Sequence, residues 1–286
     1  MSDNPQSSLL LSGLPESGKT TFLGALSHVI TSGETTTSLR EAGLPDEREY
    51  MIRLAQKWVS CEEMGRTFTS DKDKVELHLV DDIGPIHLAV PDLAGESWET
   101  FWSKRRCSPE LFDHASKANG ILFFIHSNKI KQPCPISQIN ALVPIFNEQC
   151  ESKKPEEQQP AENGANWEPE KHSPTQATVT DILQTLAHYS QSKKKLAIII
   201  SAWDLVEKNE TPQGFLKKEM PLLFQYLNAS FDYPNWEVFG VSAQGGDLTK
   251  DAEKLSSHDQ PSSRIIVQKG TERYKDITHP LQWVLR

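Results

Sequence analysis

The sequence of 286 residues lacks any apolar run close to the ~20 residues that a membrane-spanning helix needs. Its four cysteines are scattered, without the paired spacing of a disulfide framework or a zinc site. Positive charge is also scarce, and the net charge of −9 argues against generic binding to nucleic acid or acidic membranes. The first residues show no signal-peptide pattern. These absences favour a cytoplasmic protein in a reducing compartment.

What the sequence does contain is a phosphate-binding pattern near its start. The apolar run Leu9 to Leu11 predicts a buried strand, and the pattern Gly-x4-Gly-Lys-Thr follows at residues 13–20, ahead of a helix with apolar spacing. In this loop the backbone N–H groups point inward, and the N-terminus of the helix favours an anionic phosphate. The sequence therefore predicts a nucleoside triphosphate site at a P-loop.

Individual P-loop residues have distinct expected roles. The Gly13 and Gly18 positions permit the tight turn, and Lys19 supplies a positive charge for the β- and γ-phosphates. The hydroxyl of Thr20 is a candidate ligand for Mg²⁺. We expect nucleotide contacts along the whole loop, from Gly13, Glu16, Ser17, Gly18, Lys19, Thr20 and Thr21.

The rest of the chain alternates short apolar runs with helical patterns. Continuous apolar runs at residues 120–126, 196–201 and 236–242 are typical of strands buried on both faces of a parallel sheet. Alternating residues 75–79, a turn and residues 86–90 predict an antiparallel hairpin. The predicted fold is therefore an α/β P-loop NTPase with a mostly parallel, doubly wound sheet, one antiparallel hairpin strand and helices on both faces.

Two polar segments interrupt an otherwise single domain, residues 1–286. Residues 151–178 are rich in Glu, Gln, Pro and Lys, which predicts a disordered or weakly ordered insertion. A second polar insertion, residues 248–268, is expected near the base-binding end, and its last five residues are a candidate small strand.

Further nucleotide residues are expected where the second hairpin strand ends. In the pattern Asp92-x-x-Gly95, the carboxylate of Asp92 can hold Mg²⁺ through water, and the N–H of Gly95 can approach the γ-phosphate. Glu96 follows in the position of a catalytic, water-orienting residue.

The order of these motifs resembles that of Ras-like and translation-factor-like GTPases, because Ser-Ala-Trp-Asp at residues 201–204 and Ser-Ala-Gln at residues 242–244 each follow a strand. The resemblance implies that Asp204 reads guanine and that the backbone of Ser242 and Ala243 contacts its O6 atom. A carboxylate is a suitable acceptor for the paired N–H donors of guanine, which adenine lacks.

This sequence departs from that family at the base motif, where Ser201 and Ala202 replace an Asn and a Lys. The departure removes the lysine stem that usually covers the base. Trp203 and Phe215 are candidates to stack on the base instead. In the alternative interpretation Asp204 only caps a helix, and the protein is then an ATPase of related fold.

Two assignments in the predicted switch regions have rivals. Thr67 is the favoured Mg²⁺-sensing residue of the first switch, with a catalytic role, and Thr36 is its rival. In the second switch, Arg105 or Arg106 is a candidate arginine finger, although a surface helix explains these residues slightly better.

With Pro91 to Glu96 and the C-terminal pattern Pro-Leu-Gln-Trp included, the chain resembles the bacterial double-GTPase group of TRAFAC-class proteins in anti-phage conflict systems. The resemblance implies a GTP/GDP and Mg²⁺-dependent molecular switch. Its implied partners are an effector or regulator protein, or further subunits, docked through the switch regions. A nucleotide-binding scaffold without turnover stays open, because Glu96 replaces the usual glutamine.

Overall fold

The computed structural model describes residues 7–37, 39–42, 48–64, 75–90, 96–133, 168–190 and 193–286. The strands within them are β1 (Ser7–Gly13), β2 (Arg40–Glu41), β3 (Val75–Val80), β4 (Pro85–Val90), β5 (Gly120–His126), β6 (Lys195–Ser201), β7 (Asn235–Ser242), β8 (Ile266–Lys269) and β9 (Glu272–Tyr274). The helices are α1 (Lys19–Ser32), α2 (Arg48–Val59), α3 (Glu96–Lys104), α4 (Pro109–Lys117), α5 (Pro169–His172), α6 (Thr175–His188), α7 (Pro212–Glu219), α8 (Pro221–Ala229), α9 (Ala252–Ser256) and α10 (His279–Leu285). Short 3₁₀ turns lie at Trp203–Leu205 and Pro261–Arg264.

All the described strands join one sheet in the order β2-β3-β4-β1-β5-β6-β7-β8-β9. The five strands from β4 to β7 pair in parallel, and antiparallel pairs flank them on both sides. The predicted α/β P-loop fold with a mostly parallel sheet is confirmed, as is the β3–β4 hairpin. The prediction contained one antiparallel strand, but the sheet has more, because β8 and β9 form a second hairpin beside β7.

Helices cover both faces of this sheet, and alternate residues of the central strands divide between two cores. In β1, Leu9 and Leu11 face the core formed with α1, α2 and α10, whereas Leu10 faces the core formed with α3, α6 and α8. Burial on both faces explains why these strands are continuously apolar.

The predicted polar insertion at residues 151–178 is wrong at its C-terminal end. Residues 169–172 are helical, and α6 begins at Thr175, with Thr178 also buried. These polar side chains tolerate burial because they have partners: Thr175 Oγ1 accepts a hydrogen bond from Lys131 N (2.9 Å), and Gln176 Oε1 accepts one from Leu222 N (2.9 Å). The remainder, residues 151–167, lies outside the described residues.

Two other boundaries differ from the sequence pattern. Residues 214–227 have the apolar spacing of one helix, but they form parts of two helices, α7 and α8, that meet at Met220 and Pro221. Proline cannot continue a helix from the preceding turn. The predicted insertion at residues 248–268 contains α9, and its candidate strand is confirmed as β8, which begins two residues later than predicted, at Ile266. Within the described part of the chain, no helix has both the length and the apolar character to cross a membrane.

Candidate functional site: a nucleotide cavity

A cavity of about 560 Å³ lies at the carboxyl ends of the parallel strands. One wall comes from the P-loop and the start of α1, including Gly18 and Thr21. The opposite wall comes from the ends of β6 and β7 and the residues after them, including Asp204, Ser242 and Ala243. The structure therefore brings two of the predicted phosphate-loop residues and the predicted base-binding residues to one cavity.

The P-loop wraps around the ammonium group of Lys19. Lys19 Nζ donates to the carbonyl oxygens of Gly13 (2.7 Å) and Leu14 (3.0 Å) and lies 3.4 Å from Ser17 Oγ. The side chain is buried, so the loop holds a positive charge beside the N-terminus of α1. Such a site attracts a phosphate, which can replace the carbonyl oxygens as the partner of the ammonium.

Two P-loop glycines are required by close approaches of the backbone. A Cβ atom on Gly13 would lie 2.6 Å from the carbonyl oxygen of Phe124, and Gly13 has a φ of +151°. A Cβ atom on Gly18 would lie 3.1 Å from the side chain of Ser201, where φ is +87°. The second approach shows that the P-loop directly contacts the base motif.

At the other end of the cavity, a chain of hydrogen bonds fixes the carboxylate of Asp204. Gly245 N donates to Ser242 Oγ (3.0 Å), and the Ser242 hydroxyl donates to Asp204 Oδ1. Because Ser242 Oγ accepts from the backbone, its proton is committed to Asp204. Asp204 follows β6 in the 3₁₀ turn and lines the cavity, so its carboxylate is presented there as a hydrogen-bond acceptor.

The aromatic candidates for stacking on the base do not line this cavity. Trp203 is buried, and its Nε1 donates to Gln268 Oε1 (3.0 Å). Its ring packs edge-on against Phe215, with 5.7 Å between ring centroids. The absence of a side chain on Gly240 makes room for Trp203, since a Cβ there would lie 2.2 Å from the ring. The stacking interpretation is therefore wrong for both aromatic residues.

The predicted switch residues are described only in part. Thr67, Asp92 and Gly95 lie outside the described residues, and Glu96 begins α3 without a described side chain. The rival Thr36 follows the C-terminus of α1, a helix whose 14 residues rise about 21 Å from the P-loop. By contrast, Met64 lines the cavity three residues before Thr67.

The donor set is compatible with Mg²⁺ held mainly by phosphate oxygens. In the described part of the chain, no group of three or more His, Cys, Asp or Glu side chains is arranged to hold a metal ion. Thr20, the second residue of α1, offers a hard oxygen ligand next to Lys19. Mg²⁺ typically takes one or two protein ligands together with waters and substrate phosphates, so this arrangement fits.

Two further residues line the cavity, His126 at the end of β5 and Lys129 in the turn after it. The sequence placed His126 at a strand end near the site without a role, and Lys129 was not predicted. Lys129 forms an ion pair with Glu16 of the P-loop. The pKa of His126 is lowered, chiefly because its ring is partly buried and further because Lys129 is near, whereas Asp204 and Glu16 act in the opposite direction. A histidine ending a strand beside a P-loop was the available signal.

The arginine finger candidate Arg105 points elsewhere in this conformation. It follows α3 and forms an ion pair with Asp181 of α6. Arg105 also has a φ of +54°, an unfavourable backbone conformation for a side chain of this kind. In the described conformation Arg105 therefore links the end of α3 to α6 through this ion pair.

A family model described as Double-GTPase 1 matches residues 10–284 of the chain. No curated protein matches the chain. Among solved structures, the chain is similar to the GTP-bound Ski7 GTPase-like domain of S. cerevisiae (14% identity, TM-score 0.44), covering 84% of this chain and 43% of that one. It is similar to translation elongation factor SelB of Methanococcus maripaludis in complex with a GTP analogue (12% identity, TM-score 0.39), covering 87% and 32%. It is also similar to the Arl6 small GTPase of Trypanosoma brucei (8% identity, TM-score 0.37), covering 88% and 95%. The chain thus spans less than half the length of the Ski7 and SelB chains.

Proposed function

The chain belongs to the Double-GTPase 1 family, and we propose that it is a GTP-binding and GTP-hydrolysing molecular switch whose nucleotide state controls a partner protein. The observation that carries the proposal is the position of Asp204, fixed by Ser242 and facing the same cavity as the P-loop. A nucleotide in this cavity can place its phosphates at Lys19 and its base at Asp204.

The hydrogen-bond chain at Asp204 supports guanine over adenine. The carboxylate only accepts hydrogen bonds, and the N1–H and 2-amino groups of guanine are two adjacent donors. Adenine presents an acceptor at N1, which a carboxylate repels. A helix cap would not require the additional bond from Ser242, so the ATPase alternative explains less of the geometry.

At the phosphate end, each described residue has a defined task. Lys19 exchanges its bonds to the loop carbonyls for bonds to the β- and γ-phosphates, and the N-terminus of α1 adds favourable potential. Thr20, with the predicted ligands Thr67 and Asp92, would hold Mg²⁺. The ion would supply neutralisation of the charge that develops on the phosphate oxygens.

The switch itself rests on the segments on either side of the β3–β4 hairpin. The γ-phosphate would hold Thr67 before the hairpin and the Gly95 N–H after it, and Glu96 would orient the attacking water. Hydrolysis would release both segments and change the surface offered to a partner. In keeping with the family resemblance, we propose an effector or regulator in a bacterial defence system as that partner.

The test combines nucleotide binding with single-turnover hydrolysis. Calorimetric titration with GDP, a non-hydrolysable GTP analogue and ADP, each with and without Mg²⁺, should show guanine selectivity in the wild type. Lys19→Ala should weaken binding by about 100-fold, because it removes a charge-assisted contact to phosphate. The control Lys117→Ala removes another lysine, paired with Asp113 on α4, and should bind as wild type.

Hydrolysis separates the remaining interpretations. Phosphate release from GTP in a single turnover, slowed in Glu96→Ala, is the expected result. GTP binding without any release would contradict the enzyme and identify a nucleotide-binding scaffold. Equal binding of ADP and GDP would contradict the GTPase assignment and favour an ATPase.

A further inference from the structure

The base motif leaves one part of the nucleotide site without its usual residue. Ala202 stands where GTPases of similar motif order carry a lysine, and its methyl group is too short to cover a base. The two aromatic candidates are not available, because Trp203 is buried and Phe215 packs against it. Other residues of the cavity wall are therefore the candidates to cover the base.

The turn after β5 is hydrogen-bonded directly to the base motif. Ser127 N donates to the carbonyl of Ser201 (3.1 Å), and Ser127 Oγ donates to the carbonyl of Ala202 (2.9 Å). Lys129 N then donates to His126 O (3.1 Å), which closes the turn. These bonds hold Lys129 in a fixed relation to the base motif, and Lys129 lines the cavity.

The ammonium of Lys129 reaches the P-loop. Its ammonium pairs with Glu16, which lies two residues before Gly18 in the P-loop. Both side chains are substantially exposed (48% and 60%), and an exposed ion pair contributes little to stability. Stabilisation of the fold therefore does not explain this ion pair well. Because the pair joins the P-loop to the turn beside the base motif, a role in nucleotide binding explains it better.

Electrostatics support the same grouping. The pKa of His126 responds to Lys129, Asp204 and Glu16 together, so all three charges lie within range of one ring at the cavity wall. A cation on an alkyl stem can lie along the face of a purine, combining apolar contact with attraction to the π-system.

We propose that Lys129 replaces the missing lysine of the base motif: its alkyl stem covers the guanine base, and its ammonium, held by Glu16, joins the base end of the site to the P-loop. This inference rests on the proposed function, because it assigns a specificity residue to the same nucleotide site. The residue acts from a different strand end, 73 positions before Ala202 in the sequence.

The experiment is calorimetric titration of GDP and ADP into the wild type, Lys129→Ala, Lys129→Met and the double variant Lys129→Ala/Ala202→Lys. Lys129→Ala should weaken GDP binding about tenfold, the effect expected for loss of one covering side chain. Lys129→Met keeps an apolar stem without the charge. It should therefore weaken GDP binding only about threefold, which is half the loss of Lys129→Ala in binding free energy. The double variant should recover most of the affinity, because the lysine returns to the position it occupies in similar motifs.

Matched controls distinguish a loss of nucleotide contact from a loss of protein stability. Lys117→Ala removes a lysine from another exposed ion pair, with Asp113, and should leave GDP affinity unchanged. Thermal unfolding of every variant should stay close to wild type, since both ion pairs are exposed. Leu205→Ala tests whether Leu205, an exposed apolar residue of the cavity wall, covers the base instead of Lys129.

The outcomes separate this inference from the proposed function. If the wild type binds GDP selectively but Lys129→Ala binds equally well, or only Leu205→Ala loses affinity, the role of Lys129 is overturned and the GTPase assignment stands. Failure of Ala202→Lys to restore binding would also overturn it. If the wild type shows no guanine preference, the proposed function fails, and the inference fails with it.

Discussion

Replacing Asp204 by Asn should change the base that the protein selects. The two side chains have nearly the same shape, but the amide has one acceptor and one donor where the carboxylate has two acceptors. Ser242 decides which way the amide faces. Its hydroxyl accepts from Gly245 N (3.0 Å) and must donate to residue 204, so the amide oxygen turns towards Ser242 and the NH₂ group towards the cavity.

In that orientation the NH₂ group meets the 2-amino donor of guanine, so one hydrogen bond to a charged acceptor is lost and the bond from N1–H is left with a neutral oxygen. At about 2 kcal/mol for the lost bond and about 1 kcal/mol for the weakened one, Asp204→Asn should weaken GDP binding by about 3 kcal/mol, or roughly 150-fold. Xanthine carries an oxygen at position 2 instead of the amino group. The variant should therefore bind xanthosine diphosphate more tightly than GDP, reversing the wild-type order.

The assay is competition of GDP, xanthosine diphosphate and ADP for the same site in wild type and Asp204→Asn. The double variant Asp204→Asn/Ser242→Ala provides the control. Without the serine hydroxyl the amide has no fixed orientation, and the preference for xanthine should shrink. Equal loss of both nucleotides in the single variant, or an unchanged preference for guanine, would refute the role of Asp204 in reading the base.

Two further predictions concern stability. Gly13→Ala should lower the free energy of unfolding by about 1–3 kcal/mol, because the new methyl group would lie 2.6 Å from Phe124 O, as measured by urea unfolding. Gly33→Ala, also at positive φ but with open space around it, should cost less, and equal costs would contradict the steric argument. Burial lowers the pKa of Lys194 from 10.5 to about 8, so the unfolded chain binds its proton more tightly than the native state does. Its contribution to stability should then rise between pH 8 and pH 10.5, and Lys194→Met should remove that rise from the pH dependence of unfolding; an unchanged slope would contradict it.

Local patterns were sufficient for the central fold. The apolar run at residues 120–126 coincides with β5, and the P-loop pattern correctly placed β1 and α1. These elements are fixed by residues near one another in the sequence, so their periodicity is visible directly. The start of α6 was hidden because its first turn is polar and depends on partners such as Leu222 N, which is distant in sequence.

The candidate site shows the same division. Asp204 and Ser242 could be recognised because each follows a predicted strand. The burial of Trp203 could not, since it depends on the space left by Gly240 on the neighbouring strand. Lys129 was missed for a related reason: no local pattern marks it, and its partner Glu16, which belongs to the P-loop pattern, lies 113 residues away.

The two edges of the sheet restrict how another protein can attach. In the described part of the chain, the edge strands β2 and β9 contain two and three residues, so each of these strands offers very little unpaired backbone. An extended peptide added there would gain only about two or three main-chain hydrogen bonds, too few for recognition by strand addition. A partner that responds to the proposed switch is therefore expected to recognise side chains on helices and loops rather than the margin of the sheet.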